Sequence, residues 1–221
     1  MKNSMTLYHF IIDRSGSMAS CMTSTIKAYE DQMANLASLQ KELPDQQMFH
    51  SLTLFNNFVD QVIDFGPLEE KERRRAGRIK AEGTTALLDA IGLSVQRINQ
   101  QYGAAIEEDR MSVVVTILTD GHENASETYS YPQIARMISG LEETGKWTFT
   151  ILGAEVDSFS IAGRLNINEK NVLAFMKEDM EEVFDEYGSA LKSYSLLKED
   201  GLIHADFVNE IKNRDRRRTT D

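Results

Sequence analysis

Apolar and polar positions change their spacing several times along the chain, and each change marks a new element. Leu7 to Ile12 is a short apolar run closed by Asp13, the pattern of a strand covered on both faces. Helical spacing follows. Met22, Ile26, Tyr29, Met33, Leu36 and Leu43 line one face, and Pro44 stops the helix. "MFHSLTLF" and "FVDQVIDF" flank Asn56-Asn57, a pair able to take the positive φ of a tight turn, which predicts an antiparallel hairpin. Leu88, Ile91, Val95, Ile98 and Tyr102 form a second helical stripe before "MSVVVTILTDG", the strongest strand in the chain. A helix through Ile134, Met137, Ile138 and Leu141 leads to the strand "WTFTILGA". A short segment near Ser158 to Arg164 then precedes the strand "NVLAF", and a helix with Met180, Val183, Phe184, Tyr187 and Leu191 ends the regular pattern.

Strands alternating with amphipathic helices predict an α/β fold: a doubly wound, Rossmann-like, mostly parallel six-stranded sheet with one antiparallel edge strand from the hairpin. The 221 residues suit one large domain. Two stretches stand outside the alternation. Residues 66–82 carry the mixed charge run "EEKERRRAGRIK", expected to be a solvated loop or short helix. After Ser193, the residues Ile203, Phe207, Val208 and Ile211 have the spacing of one docked helix, followed by a charged tail "KNRDRRRTTD".

Composition narrows the function classes. A formal net charge of -11 disfavours nucleic acid and anionic membrane as partners. Cys21 is the only cysteine, so no internal disulfide can form, and a reducing compartment is expected. Its place just past a strand end, with no histidine nearby in sequence, reads as a small buried side chain. The apolar part of "MKNSMTLYHFIID" is too short for a signal segment, so the expected location is the cytoplasm.

Candidate chemistry gathers at two strand ends, Asp13 and Asp120. In a doubly wound sheet, ligands bind beyond the carboxyl ends of strands where the strand order reverses. Ser15 and Ser17 leave the first strand with Gly16 between them, and Thr84 and Thr85 precede the second helix. A nucleophile, a phosphate cradle and a metal ligand set all use such residues. A serine-hydrolase elbow needs glycines two residues either side of the serine, and neither serine has them. An aspartyl phosphatase wants a second aspartate where Ser15 stands. Neither a GxxxxGK loop nor a GxGxxG fingerprint occurs. Carboxylates and hydroxyls together are an all-oxygen donor set that suits a hard divalent cation.

"DRSGSM", "GTTALLDAI" and "ILTDGHENAS", in this order and spacing, resemble the von Willebrand factor A (VWA) family over residues 5–192, with 193–221 as a C-terminal extension. The resemblance implies a metal-ion-dependent adhesion site of Asp13, Ser15, Ser17, Thr85 and Asp120. Family members usually carry Gly-Gly-Thr where this chain has Gly83-Thr84-Thr85. Thr85 is preferred because "TALLDAI" then aligns with the family's following helix, and Thr84 is the alternative. The implied cofactor is Mg²⁺ (or Mn²⁺), and the implied partner is a protein that supplies an Asp or Glu carboxylate to the ion. The compact form and "WTFTILGAEVD" most resemble bacterial and phage members of the family. Two other roles stay open: a metal-dependent phosphoesterase using Asp13, and a structural or assembly protein whose site is vestigial. His122, Glu123 and Asn124 are expected to face solvent beside the site, and Asp89 to be a helix-surface or capping residue.

Overall fold

A computed structural model describes residues 4–68, 79–175 and 180–199. Six strands, β1 (Ser4–Asp13), β2 (Gln46–Phe55), β3 (Val59–Pro67), β4 (Met111–Thr119), β5 (Trp147–Ala154) and β6 (Val172–Phe175), form one sheet in the order β3-β2-β1-β4-β5-β6. Every neighbouring pair is parallel except β2 and β3. The helices are α1 (Met22–Glu42), α2 (Leu87–Glu107), α3 (Tyr131–Glu142), α4 (Glu155–Arg164) and α5 (Met180–Glu199). The six-stranded doubly wound sheet and its antiparallel edge strand are those read from the alternation of strands and helices.

The period-2 geometry of the central strands explains why both read as continuous apolar runs. On β4, Val114 and Leu118 face a core shared with α1 and α5, while Val113, Val115 and Ile117 face the opposite core under α2 and α3. β1 divides the same way, Phe10 and Ile12 against Leu7 and Ile11. Phe10 meets Tyr29 of α1 edge-to-face, with ring centroids 5.3 Å apart. Because β1 lies between β2 and β4, the chain leaves it in one direction for β2 and comes back on its other side for β4. The crossing point is therefore at the carboxyl ends of β1 and β4.

The hairpin forms by a different turn from the one its asparagines suggested. Asp109 and Asn166 are the non-glycine residues with positive φ among those described, so neither Asn56 nor Asn57 adopts it. Instead the Asn56 side chain accepts from the Phe58 amide at 2.9 Å, and the Asn56 amide donates to the Phe58 carbonyl at 3.0 Å. An asparagine side chain imitating a backbone turn removes the need for left-handed residues. Of the charge run at 66–82, Gly66 and Pro67 complete β3, residues 79–82 form no regular element, and 69–78 lie outside the described residues. The Ile203 to Ile211 pattern also lies outside them. No described helix is long and apolar enough to cross a membrane.

The last helix is keyed to the sheet by hydroxyls as well as apolar surface. Tyr187 hydrogen-bonds Thr116 on β4, and Thr116 also accepts from Thr150 on β5 at 3.3 Å. Tyr8 on β1 meets Ser195 at 2.8 Å, and the Gln46 side-chain amide donates to the Ser195 carbonyl at 2.7 Å. Such contacts fix the helix's position along its axis, since sliding by one turn would bury hydroxyls against apolar side chains. Tyr187→Phe should therefore lower stability by about 1 kcal/mol, read as a lower urea midpoint with an unchanged slope. An unchanged midpoint would mean the hydroxyl contact contributes nothing.

Candidate metal centre

The carboxyl end of β1 buries an acid. Asp13 is fully inaccessible to solvent and is tied down by short bonds from the Ser15 amide at 2.7 Å and the Thr119 hydroxyl at 2.6 Å. Thr119 in turn accepts from the Gly121 amide at 3.2 Å. Burial holds the Asp13 carboxyl above its ordinary range; the bonds from Thr119 and Ser15 oppose that shift and the nearby Asp120 charge adds to it.

Around this acid the five residues expected to form the site come together. Ser15 Oγ lies 3.0 Å from Ser17 Oγ, and Ser17 Oγ donates to Asp120 Oδ1 at 2.7 Å. Gly121 shows where they converge. A Cβ added there would sit 3.0 Å from Thr85 Oγ1, 3.4 Å from Ser17 Oγ and 3.6 Å from Asp13 Oδ2. The absence of a side chain at Gly121 thus keeps the space between three loops clear. Thr85 is buried and faces this space, whereas Thr84 is exposed. Ser15 is buried and Ser17 is at the surface, so the cluster opens outward on one side.

The loops hold their positions through backbone bonds. The Gly16 amide donates to the Gly83 carbonyl at 3.0 Å, and the Glu82 amide to the Arg14 carbonyl at 2.9 Å. Gly83 has φ +85°, and a Cβ there would come within 2.4 Å of Asn57 Oδ1, so glycine is required at this junction. Asn56, buried, donates from its side chain to the Glu82 carbonyl at 2.9 Å, and its own carbonyl accepts the Ala86 amide at 2.8 Å. The hairpin turn thereby fastens the segment that carries Thr85.

The loop after β4 departs from the expected solvent-facing reading. His122 is exposed, as expected, but Glu123 is half-buried and accepts from the amides of Leu88, Ala125 and Ser126 and from the Ser126 hydroxyl. It caps the first turn of α2 from another loop, where a negative charge is favoured. Asn124 is exposed, yet its side-chain carbonyl accepts the Thr85 amide at 2.9 Å and its amide donates to the Thr85 carbonyl at 3.0 Å. Asp89 is a capping residue of an unexpected kind: it is buried, and its carboxylate accepts the amides of Glu127, Thr128 and Tyr129. Thr119, Asn56, Glu123 and Asn124 are thus supporting residues that pattern reading does not reveal. The only sequence signal for them is a short polar side chain near a strand-to-helix loop.

The donor set fits a hard divalent cation. Carboxylate and hydroxyl oxygens from three loops face one point, and no group of three or more His, Cys, Asp or Glu side chains suited to a metal is gathered among the described residues.

No protein-family model matches the chain, and no curated protein matches it. Solved structures do. One is a von Willebrand factor type A protein from Catenulispora acidiphila, at 20% identity and TM-score 0.58, with 85% of this chain aligned to 42% of that one. Another is the vWF domain of the type V pili tip protein Mfa5 from Porphyromonas gingivalis, at 8% identity and TM-score 0.60, covering 86% and 96% of the two chains. A third is the manganese-loaded TRAP protein of Plasmodium vivax, at 14% identity and TM-score 0.54, covering 82% and 72%. The chain has the von Willebrand factor A fold, and it spans less than half the length of the Catenulispora protein.

Two outcomes follow from these bonded acids. Glu123→Ala strands the amides that Glu123 holds and should cost about 2 kcal/mol, measured by chemical denaturation; a loss under 0.5 kcal/mol would contradict the capping role. Asp13 has a folded-state pKa raised by burial, so its ionisation opposes folding. That cost is absent below the ordinary carboxyl value, grows as pH rises through the window up to the raised value, and is complete above it. In chelator, Asp13→Asn should therefore melt higher than wild type at pH 7, with the gap closing towards pH 4. A variant that melts lower at pH 7 would overturn this.

Proposed function

We propose that this chain is a metal-dependent protein-interaction module, binding Mg²⁺ (or Mn²⁺) through Asp13, Ser15, Ser17, Thr85 and Asp120. The observation that carries the reading is the convergence of Thr85, Ser17 and Asp13 oxygens on the space beside Gly121, with Ser15 and Asp120 bonded to Ser17 at its edge. Three of the five donors are neutral hydroxyls, which leave a divalent ion more electrophilic than an all-carboxylate set would. When bound, the ion would supply an electrophilic centre with affinity for one further anionic oxygen, and an Asp or Glu of a partner protein fits that need. At net charge -11 the chain as a whole repels an acidic ligand, so the attraction would be local to the ion.

The module is read as non-catalytic. Its hydroxyls are aimed at a shared point with the carboxylates, the arrangement of a ligand set rather than of a nucleophile with its base. Two features of the surroundings support contact with a protein. Phe58 stands 66% exposed on the turn that Asn56 fastens, at the same end of the sheet as the site. Beside it Arg14 pairs with Asp60. Aromatic and arginine side chains presented on rigid turns are the usual anchors of protein contacts. Among the proteins of like fold, one is a pilus tip protein and one is manganese-loaded. Cys21, buried and the chain's single cysteine, is in keeping with a cytoplasmic, reducing location.

Thermal unfolding in Mg²⁺, Mn²⁺ and chelator tests the reading. At a metal concentration a hundred times the dissociation constant, binding adds about 2.7 kcal/mol, or about 5–10 °C in a domain of this size. Wild type should show this rise and lose it in chelator. Asp13→Ala and Asp120→Ala should show none, and capture of a partner from the native host should require both the metal and Asp120. A wild-type melting temperature indifferent to both metals would refute the proposal.

A further inference from the structure

On the outward side of α1 and α5 lies a groove that the metal centre does not use. Two adjoining cavities, of about 360 Å³ and about 230 Å³, share Gln32, Asn35 and Asp185. The two helices run in the same direction. Ala28 and Phe184 border one end of the groove, and the Glu42–Lys192 ion pair closes the other at 3.0 Å. Leu36, Leu39 and Leu191 give it an apolar floor. The floor continues past the ion pair, because Leu196 lies one turn beyond Lys192 on the same helix face and is 40% exposed. Leu196 thus extends the open groove with one exposed apolar side chain.

We propose that the cover is the chain's own C-terminal segment, Ile203 to Ile211, folded back antiparallel to α5. Three features of the sequence and fold identify this occupant. Ile203, Phe207 and Ile211 recur four apart, so as a helix they present one apolar stripe in need of a partner. Gly201 follows two residues after the end of α5, where a glycine lets a chain reverse. Lengths agree as well: a helix over 203–211 spans about 12 Å, as does the α5 face from Gly188 to Leu196. Ile203 then falls beside Leu196 and Ile211 beside Gly188.

Charge selects the same direction. Beyond Ile211 the tail carries Lys212, Arg214, Arg216, Arg217 and Arg218 against Asp215 and Asp221. A segment laid back along the groove delivers these bases to its far end, where Asp31 and Asp185 stand against Lys27. This docking is independent of the metal reading and stands or falls without it.

Hydrogen exchange of the full-length chain in chelator tests the docking, comparing wild type with Phe207→Glu/Ile211→Glu. Amides of α1 from Asn35 to Glu42 and of α5 from Gly188 to Leu196 should exchange at least about tenfold faster in the double variant, while β4 amides keep their wild-type rates. Arg216→Glu/Arg217→Glu/Arg218→Glu should give a smaller acceleration of the same amides. Rates within twofold of wild type along both helices would overturn the proposal, and so would acceleration spread equally over β4. Protection that rises with protein concentration would also overturn it, by giving the groove to a second copy of the chain.

Discussion

A carboxylate with no access to solvent, placed at the end of the central strand, constrains everything around it. Asp13 can remain there because Thr119 and the Ser15 amide reach it with bonds of 2.6 and 2.7 Å. Those bonds tie the end of β1 to the end of β4 and set the path of the loop that carries both serines. An acid in such a position is costly unless it is bonded or neutralised. Burial leaves its carboxyl raised, and Asp120 nearby adds to that strain. A cation placed among these oxygens would relieve both effects. The raised carboxyl of Asp13 and the proposed affinity for metal thus share one electrostatic cause.

The hydroxyl donors depend on backbone scaffolding rather than on packing. Gly83, in its left-handed conformation, brings the Thr85 segment against the Gly16 turn, and Asn56 binds that segment to the hairpin. From the other side Asn124 holds Thr85 by its amide and carbonyl, while Glu123 and Asp89 hold the loop after β4 onto α2. Three loops from distant parts of the chain are therefore bonded to one another. A site that must offer hydroxyls to an ion in fixed positions benefits from such pre-organisation.

Much of this was legible in the amino-acid order. The sheet, its antiparallel edge and the burial stripes of α1 and α2 follow from hydrophobic spacing, because apolar periodicity and burial share one cause. The five candidate residues follow from motif order, and the fold places their side chains beside one another, with Thr85 inward and Thr84 outward. The supporting polar residues were not. Glu123 looks like an exposed loop acid in the sequence, and what makes it a cap is the proximity of an α2 amide thirty-five positions away. The turn at Asn56 was read as a left-handed pair for the same reason: a side chain bonding to its own backbone leaves no mark in the periodicity. Local propensity suggests that an asparagine turns the chain, but not by which route.

Anomalous scattering from crystals grown with Mn²⁺ would test the central claim most directly, because it locates the ion independently of any effect on stability. The account predicts one strong peak beside Gly121, within coordination distance of the hydroxyl oxygens that hold it, with Ser15, Ser17 and Thr85 in its shell. A peak elsewhere on the molecule, or none beside Gly121 at saturating Mn²⁺, would contradict it.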